Sequence, residues 1–180
     1  VNYYESNTVQ GYFNILFLPT QVINLLSGFV FKPLLSQYGA AVGERDFIRF
    51  RQLYRRHLFL IGGLTVFCCL AGYLLGTQVL GLFYAVDLSA YRLELFLTIL
   101  SGGFIAAGSM SYYLLVMLRK QMWIFFNYAV NIGIGVVISV LLVKNFSILG
   151  GALSILVSQA LLFFVFAIFL LFFTRRTSDA

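Results

Sequence analysis

Gln10, Asn14, Gln21, Asn24, Gly28 and Lys32 recur at spacings of three, four and seven through an otherwise apolar stretch. At 100° per residue they fall within about 80° of one another on a straight helix. Amides, a glycine and an ammonium in one line can do two things in an apolar medium: line a hydrated path for a polar solute, or bond neighbouring helices as structural glue. Bond-making chemistry has no comparable signature. There is no GxxxxGK[ST] loop, no HExxH, no pair of acids suited to catalysis, and a single histidine, His57. Nucleotide hydrolysis and metal chemistry therefore have no residues to carry them. No cofactor is expected, and the chain reads as a non-enzyme.

Other polar side chains lie in apolar surroundings too. Asn127 and Asn131 stand one turn apart, as packing residues or as substrate contacts. Asn14, Gln21, Asn24, Lys32, Asn127 and Asn131 are thus the candidate substrate-path residues. Glu94, Thr98, Ser101, Gly108 and Tyr112 form a weaker version of the stripe, and Glu94 reads as an interface partner of Arg92. The adjacent Cys68 and Cys69 have neither redox nor zinc spacing and read as small packing residues.

The elements that must position these residues follow from composition. Of the 180 residues, 61% are hydrophobic and only 10% charged, with a mean hydropathy of +0.95. A soluble domain carries about 25% charged residues, so lipid is the expected solvent. A spanning helix needs about 20 mostly apolar residues, and five stretches qualify: roughly 12–35, 58–80, 93–118, 122–143 and 148–173. The expected fold is an all-α membrane protein with five transmembrane helices. Pro19 and Pro33, the only prolines, both fall in the first. Gly72 and Gly76, and the run Ser147, Gly150, Gly151, Ser154 and Ser158, read as close helix contacts.

Charge orients the spans. The run ERDFIRFRQLYRRH, Glu44 to His57, holds Arg45, Arg49, Arg51, Arg55 and Arg56. With that run in the cytoplasm, Arg119, Lys120, Arg175, Arg176 and Lys32 fall on the same side, and only Arg92 and Lys144 lie opposite. The first residues are then external and the C-terminus cytoplasmic. On a helical wheel the arginines of 44–57 oppose Phe47, Phe50, Leu53, Tyr54 and His57, the pattern of an amphipathic cytoplasmic segment in the headgroup layer. The net charge of +6 sits between apolar runs rather than on a soluble surface, so nucleic acid is not an expected partner; the bilayer is. Asn145, Phe146 and Ser147 match a glycosylation sequon close to the membrane, a weak signal. A chain that opens on Val1 without a signal peptide reads as the C-terminal piece of a longer protein.

Three stretches resemble one family. GYFNILFLPTQVINLLSGFVFKPLLSQYG, with the basic connector after it, resembles the eighth helix and following loop of polysaccharide and lipid-linked oligosaccharide flippases of the multidrug/oligosaccharidyl-lipid/polysaccharide exporter superfamily. LELFLTILSGGFIAAGSMSYYLLVMLRKQMW is similar to their tenth helix and the basic turn behind it, and SILGGALSILVSQALLF to the start of the twelfth. The resemblance implies most of the C-terminal six-helix lobe of a MATE-like two-lobed transporter in a bacterial cytoplasmic membrane. It also implies a function: flipping undecaprenyl-pyrophosphate-linked oligosaccharide by alternating access, with other polysaccharide-assembly proteins as candidate partners. A drug or metabolite exporter of the same superfamily, a membrane-embedded glycan polymerase or ligase, and a scaffold subunit are the competing readings.

Overall fold

The computed structural model describes residues 7–176, and those residues are helical almost throughout, with no strand among them. α1 (Asn7–Phe31) runs through Pro19 and gives way at Lys32–Leu34 to one 3-10 turn. Pro33 has no N–H to continue the α-helical ladder, which is why the helix tightens there. α2 (Leu35–Gly43) follows, then α3 (Phe47–Ala71), a π-helical segment (Gly72–Gly76) and α4 (Thr77–Tyr84). α5 spans Arg92–Met117 and α6 Gln121–Arg176. Four of these helical stretches are long and apolar enough to cross a membrane, as a membrane protein requires.

Two of the reversals use the same device. After α2, the Arg45 N–H bonds the Val42 carbonyl at 3.2 Å and the Asp46 N–H the Ala41 carbonyl at 2.8 Å. After α5, the Arg119 N–H bonds Val116 at 2.9 Å and the Lys120 N–H bonds Leu115 at 3.0 Å. Both are Schellman closures with an arginine, at φ 57° in each case, where glycine is usual. Asp46 then caps α3, its Oδ1 accepting from the Arg49 N–H at 2.9 Å.

The basic run is consequently not an element of its own. Residues 47–57 are the first turns of α3, which continues without a break into the apolar stretch. The apolar side expected to meet lipid is covered instead. Phe47, Phe50, Tyr54 and His57 are buried, with Tyr38 of α2 edge-on to Phe50 and its hydroxyl 2.6 Å from His57 Nδ1.

α5 is the central helix. Its line Ser101, Gly102, Gly103, Ala106, Ala107, Gly108, Ser111 is buried, and small side chains let three neighbours approach. Against α1, Thr20 Oγ1 donates to the Thr98 carbonyl at 2.7 Å and Thr98 Oγ1 to the Leu16 carbonyl at 2.9 Å. Against α3, the Tyr54 hydroxyl lies 2.9 Å from Ser111 Oγ, which itself donates to Ala107. Of the stripe on α5, Thr98 thus bonds α1 and Gly108 admits Phe163 of α6, while Ser101 returns its hydroxyl to the Thr98 carbonyl within α5. Gly72 and Gly76 make room for Ile99 and Leu95 of the same helix.

α6 folds back on itself. Its backbone leaves helical geometry at Ser147 (φ 52°, ψ −126°), and the two arms then pair in antiparallel order. Trp123 sits 5.0 Å from Phe169, Tyr128 5.5 Å from Phe166, and Asn131 bonds Ser158. Gly150 packs directly against the Leu142 carbonyl. A positive φ with ψ near −126° is glycine territory, so a serine there stores backbone strain of about 1–3 kcal/mol. Ser147→Gly is expected to raise stability by a net amount of about 1 kcal/mol, after the extra freedom glycine brings to the unfolded chain. Denaturant titration in detergent checks it; a variant less stable than the parent contradicts the strain assignment.

The packing separates charge. The end of α1, the α2–α3 turn, the end of α5 and both ends of α6 lie together, joined by Phe31–Tyr113 at 6.0 Å and Lys120 4.6 Å over the Phe173 ring. At the opposite end Tyr12 meets Tyr91 at 5.9 Å, and Gly151 leaves room for the Phe13 ring. Of the twelve basic residues all but two, Arg92 and Lys144, sit on segments at the first end, which leaves ten there.

Candidate functional site

α1 has three faces. Leu16, Thr20, Ile23, Ser27 and Phe31 are buried against the other helices. Leu18, Val22, Leu25, Leu26 and Phe29 are exposed and apolar, a surface made for lipid. Between these two sectors runs the polar stripe, about 100° round from the middle of the buried face. Asn14, Gln21 and Lys32 are exposed on it, while Gln10, Asn24 and Gly28 are half-buried. No helix among the described residues covers the exposed members of that stripe.

A free-energy scale decides what this means. Each amide placed in hydrocarbon without a partner costs on the order of 4 kcal/mol or more. Asn14 and Gln21 together would cost about as much as an entire domain's stability if they faced lipid. They need water or a polar partner.

At the basic end the stripe widens into a cleft of about 230 Å³ between α1, α3 and α5. Asn24, Ser27, Gly28 and Lys32 form one wall, Ile61 the floor, and Ser109, Met110 and Tyr113 the other wall. Leu25 and Phe29 stand at its mouth on the lipid side. Ser27 is only 5% exposed, yet its Oγ has no hydrogen-bond partner. A buried hydroxyl left unpaired costs about 1–3 kcal/mol, and this one borders the cleft. Lys32 is exposed and has no carboxylate within ion-pair reach among the described residues; the ion pair seen there is Arg49 with Glu44, at 3.5 Å. The cleft therefore offers a free cation, an amide and hydroxyl groups to an incoming polar or anionic group.

The remaining candidates lie elsewhere. Asn131 is committed: its Nδ2 donates to the Ser158 carbonyl at 3.0 Å and its Oδ1 accepts from Ser158 Oγ at 2.9 Å, which fastens the two arms of α6. Asn127, one turn away and 7% exposed, has an unpartnered Nδ2. Neither lines the cleft. Glu94 does not pair with Arg92: two residues apart on a helix, their side chains diverge by about 200°. Its Oε2 is buried without a partner.

Ser27, Ser109 and Tyr113 were not legible as site residues. Ser27 reads as one more small residue on a buried face, and Ser109 lies one position off the face that Gly108 and Tyr112 suggest. The one signal available was the i, i+3 step from Asn24 to Ser27.

The class that fold and cleft define is a helical membrane protein with a polar recess at its basic end. No protein-family model, no curated protein and no solved structure matches the chain.

Proposed function

We propose that the chain is part of a transporter that passes a polar-headed solute across a bacterial cytoplasmic membrane, with the lipid-linked oligosaccharide flippases it resembles in sequence as the best-fitting class. In this reading α6 crosses twice. The 55 residues of its apolar stretch would measure about 83 Å as one rod, nearly three times the ~30 Å hydrocarbon core, and the reversal at Ser147 divides them into two arms of crossing length. The chain then makes five crossings, as one lobe of a two-lobed carrier. Its basic end faces the cytoplasm by the positive-inside rule, and the C-terminus lies on that side. The observation that carries the proposal is the three-faced α1: a polar stripe, uncovered by any helix among the described residues, ending in a cleft with a free ammonium. A pyrophosphate headgroup loading from the cytoplasm would meet Lys32 and Asn24 first, with its lipid tail beside Leu25 and Phe29.

A cysteine scan tests the path and the sidedness together, once Cys68 and Cys69 have been replaced by alanine. Single cysteines at Asn14, Gln21 and Asn24 should react in membranes with a water-soluble thiol reagent, and those at Leu18 and Val22 should not. A cysteine at Gln52 should react only from the cytoplasm. Equal reactivity on both faces of α1 removes the path.

An exporter of the same superfamily is the second reading, favoured by the unpartnered Oε2 of Glu94, a group able to carry a coupling proton. Deletion separates the two: loss of surface glycan marks the flippase, drug sensitivity the exporter.

A further inference from the structure

We propose that the outer face of α3 is a binding site for one anionic phospholipid of the basic-end leaflet, with the headgroup phosphate on Arg51 and Arg55 and one acyl chain in the notch at Gly62 and Gly63. At 100° per residue, Arg51, Arg55, Gly62 and Val66 fall within about 60° of one another, so cations and notch share one stripe. An open groove of about 710 Å³ runs along it, lined by Arg55, Leu58, Phe59, Gly62, Gly63 and Val66. From Arg55 to Val66 the helix rises about 16 Å, which is the depth of one leaflet's hydrocarbon. The groove is thus sized to one chain of one leaflet.

Two features of this face have no explanation among the described residues. Consecutive glycines in mid-helix weaken a helix, and the other two such pairs in this fold, Gly102 with Gly103 and Gly150 with Gly151, each admit a neighbour. Around Gly62 and Gly63 nothing lies within 4 Å of an added Cβ. Arg51 and Arg55, four residues apart, repel one another. The acids of the adjacent turn are engaged away from them: Glu44 pairs with Arg49, and Asp46 caps the helix. A phosphodiester satisfies both anomalies at once, since guanidinium groups bind phosphate oxygens bidentately and the attached chain fills the notch. A partner helix would fill the notch but leave the arginine pair unneutralised. The site lies outside the α1 cleft and does not depend on the transport reading.

The test uses the chain in a neutral detergent, titrated with phosphatidylglycerol or with phosphatidylcholine of identical acyl chains while thermal unfolding is followed. Phosphatidylglycerol alone is expected to raise the melting temperature. Arg51→Gln with Arg55→Gln should weaken the half-saturating concentration by roughly tenfold or more. Gly62→Leu, which leaves the charge untouched, should do the same, whereas Arg119→Gln, in the turn between α5 and α6, should not. Native mass spectra of the unaltered chain should retain phosphatidylglycerol in preference to phosphatidylcholine, a readout that needs no variant to fold. Equal stabilisation by phosphatidylcholine overturns the proposal. So does stabilisation by inorganic phosphate alone, or by an acidic peptide in place of lipid. A Gly62→Leu variant that dissociates a dimer while keeping the lipid response would assign the notch to a helix partner and overturn it equally.

Discussion

Gly102→Leu is expected to separate α1 from α5 and to cost about 3–4 kcal/mol, the largest stability loss of any single substitution proposed for this chain. A Cβ on Gly102 would come within 3.2 Å of the Cα and the carbonyl oxygen of Thr20. Those are backbone atoms of the opposing helix, so no rotamer change relieves the contact; α1 itself must move. Once it moves, the bonds from Thr20 Oγ1 to Thr98 and from Thr98 Oγ1 to Leu16 are strained together. Overpacking of this kind costs about 1–3 kcal/mol, and each interhelical bond adds about 0.6 kcal/mol in a membrane protein. Gly102→Ala should cost about 1 kcal/mol, because a lone methyl needs a shift of only a few tenths of an ångström. Unfolding in mixed detergent micelles measures both. A leucine variant as stable as the parent would show that α1 docks loosely and would remove the rigid wall on which the cleft depends.

Much of this fold was legible because lipid imposes a strong length and hydropathy rule. The stretch read as 93–118 is α5 at Arg92–Met117, and the turns fall where basic residues interrupt apolar runs. Periodicity also carried the stripe on α1, since every member kept its place between the buried and apolar faces. Two things were hidden. One is continuity: residues 47–57 look like a surface helix by their moment, and nothing local says that the next residues extend the same rod. The other is pairing. The amides at Asn24 and Asn131 are equivalent in sequence, yet Asn131 meets Ser158 at a distance of 27 residues along the chain, while Asn24 borders an open cleft. Which buried polar groups are spoken for is a property of tertiary packing, and Ser27, with its unpartnered hydroxyl, came into view only there.

If the chain serves the transporter proposed above, Lys32→Ala is expected to lower solute translocation about ten- to a hundredfold at unchanged expression and membrane insertion. The magnitude follows from one charge-assisted hydrogen bond to an anionic headgroup, worth about 1.5–3 kcal/mol in a recess partly closed to water. Lys32→Arg should keep most activity, and Lys32→Glu should abolish it by repelling the same group. Ser27 provides the control that a packing role cannot imitate. Its Oγ is buried and unpaired, so Ser27→Ala removes a desolvation cost and should leave the fold as stable or more so. If Ser27 contacts the passing solute, the same change lowers translocation. Stability and transport moving in opposite directions is the signature of a polar group kept unsatisfied for a ligand. Normal export of cell-surface glycan by Lys32→Ala, with the protein present at parental level, would leave the ammonium as an interfacial anchor and withdraw the cleft from the solute's route.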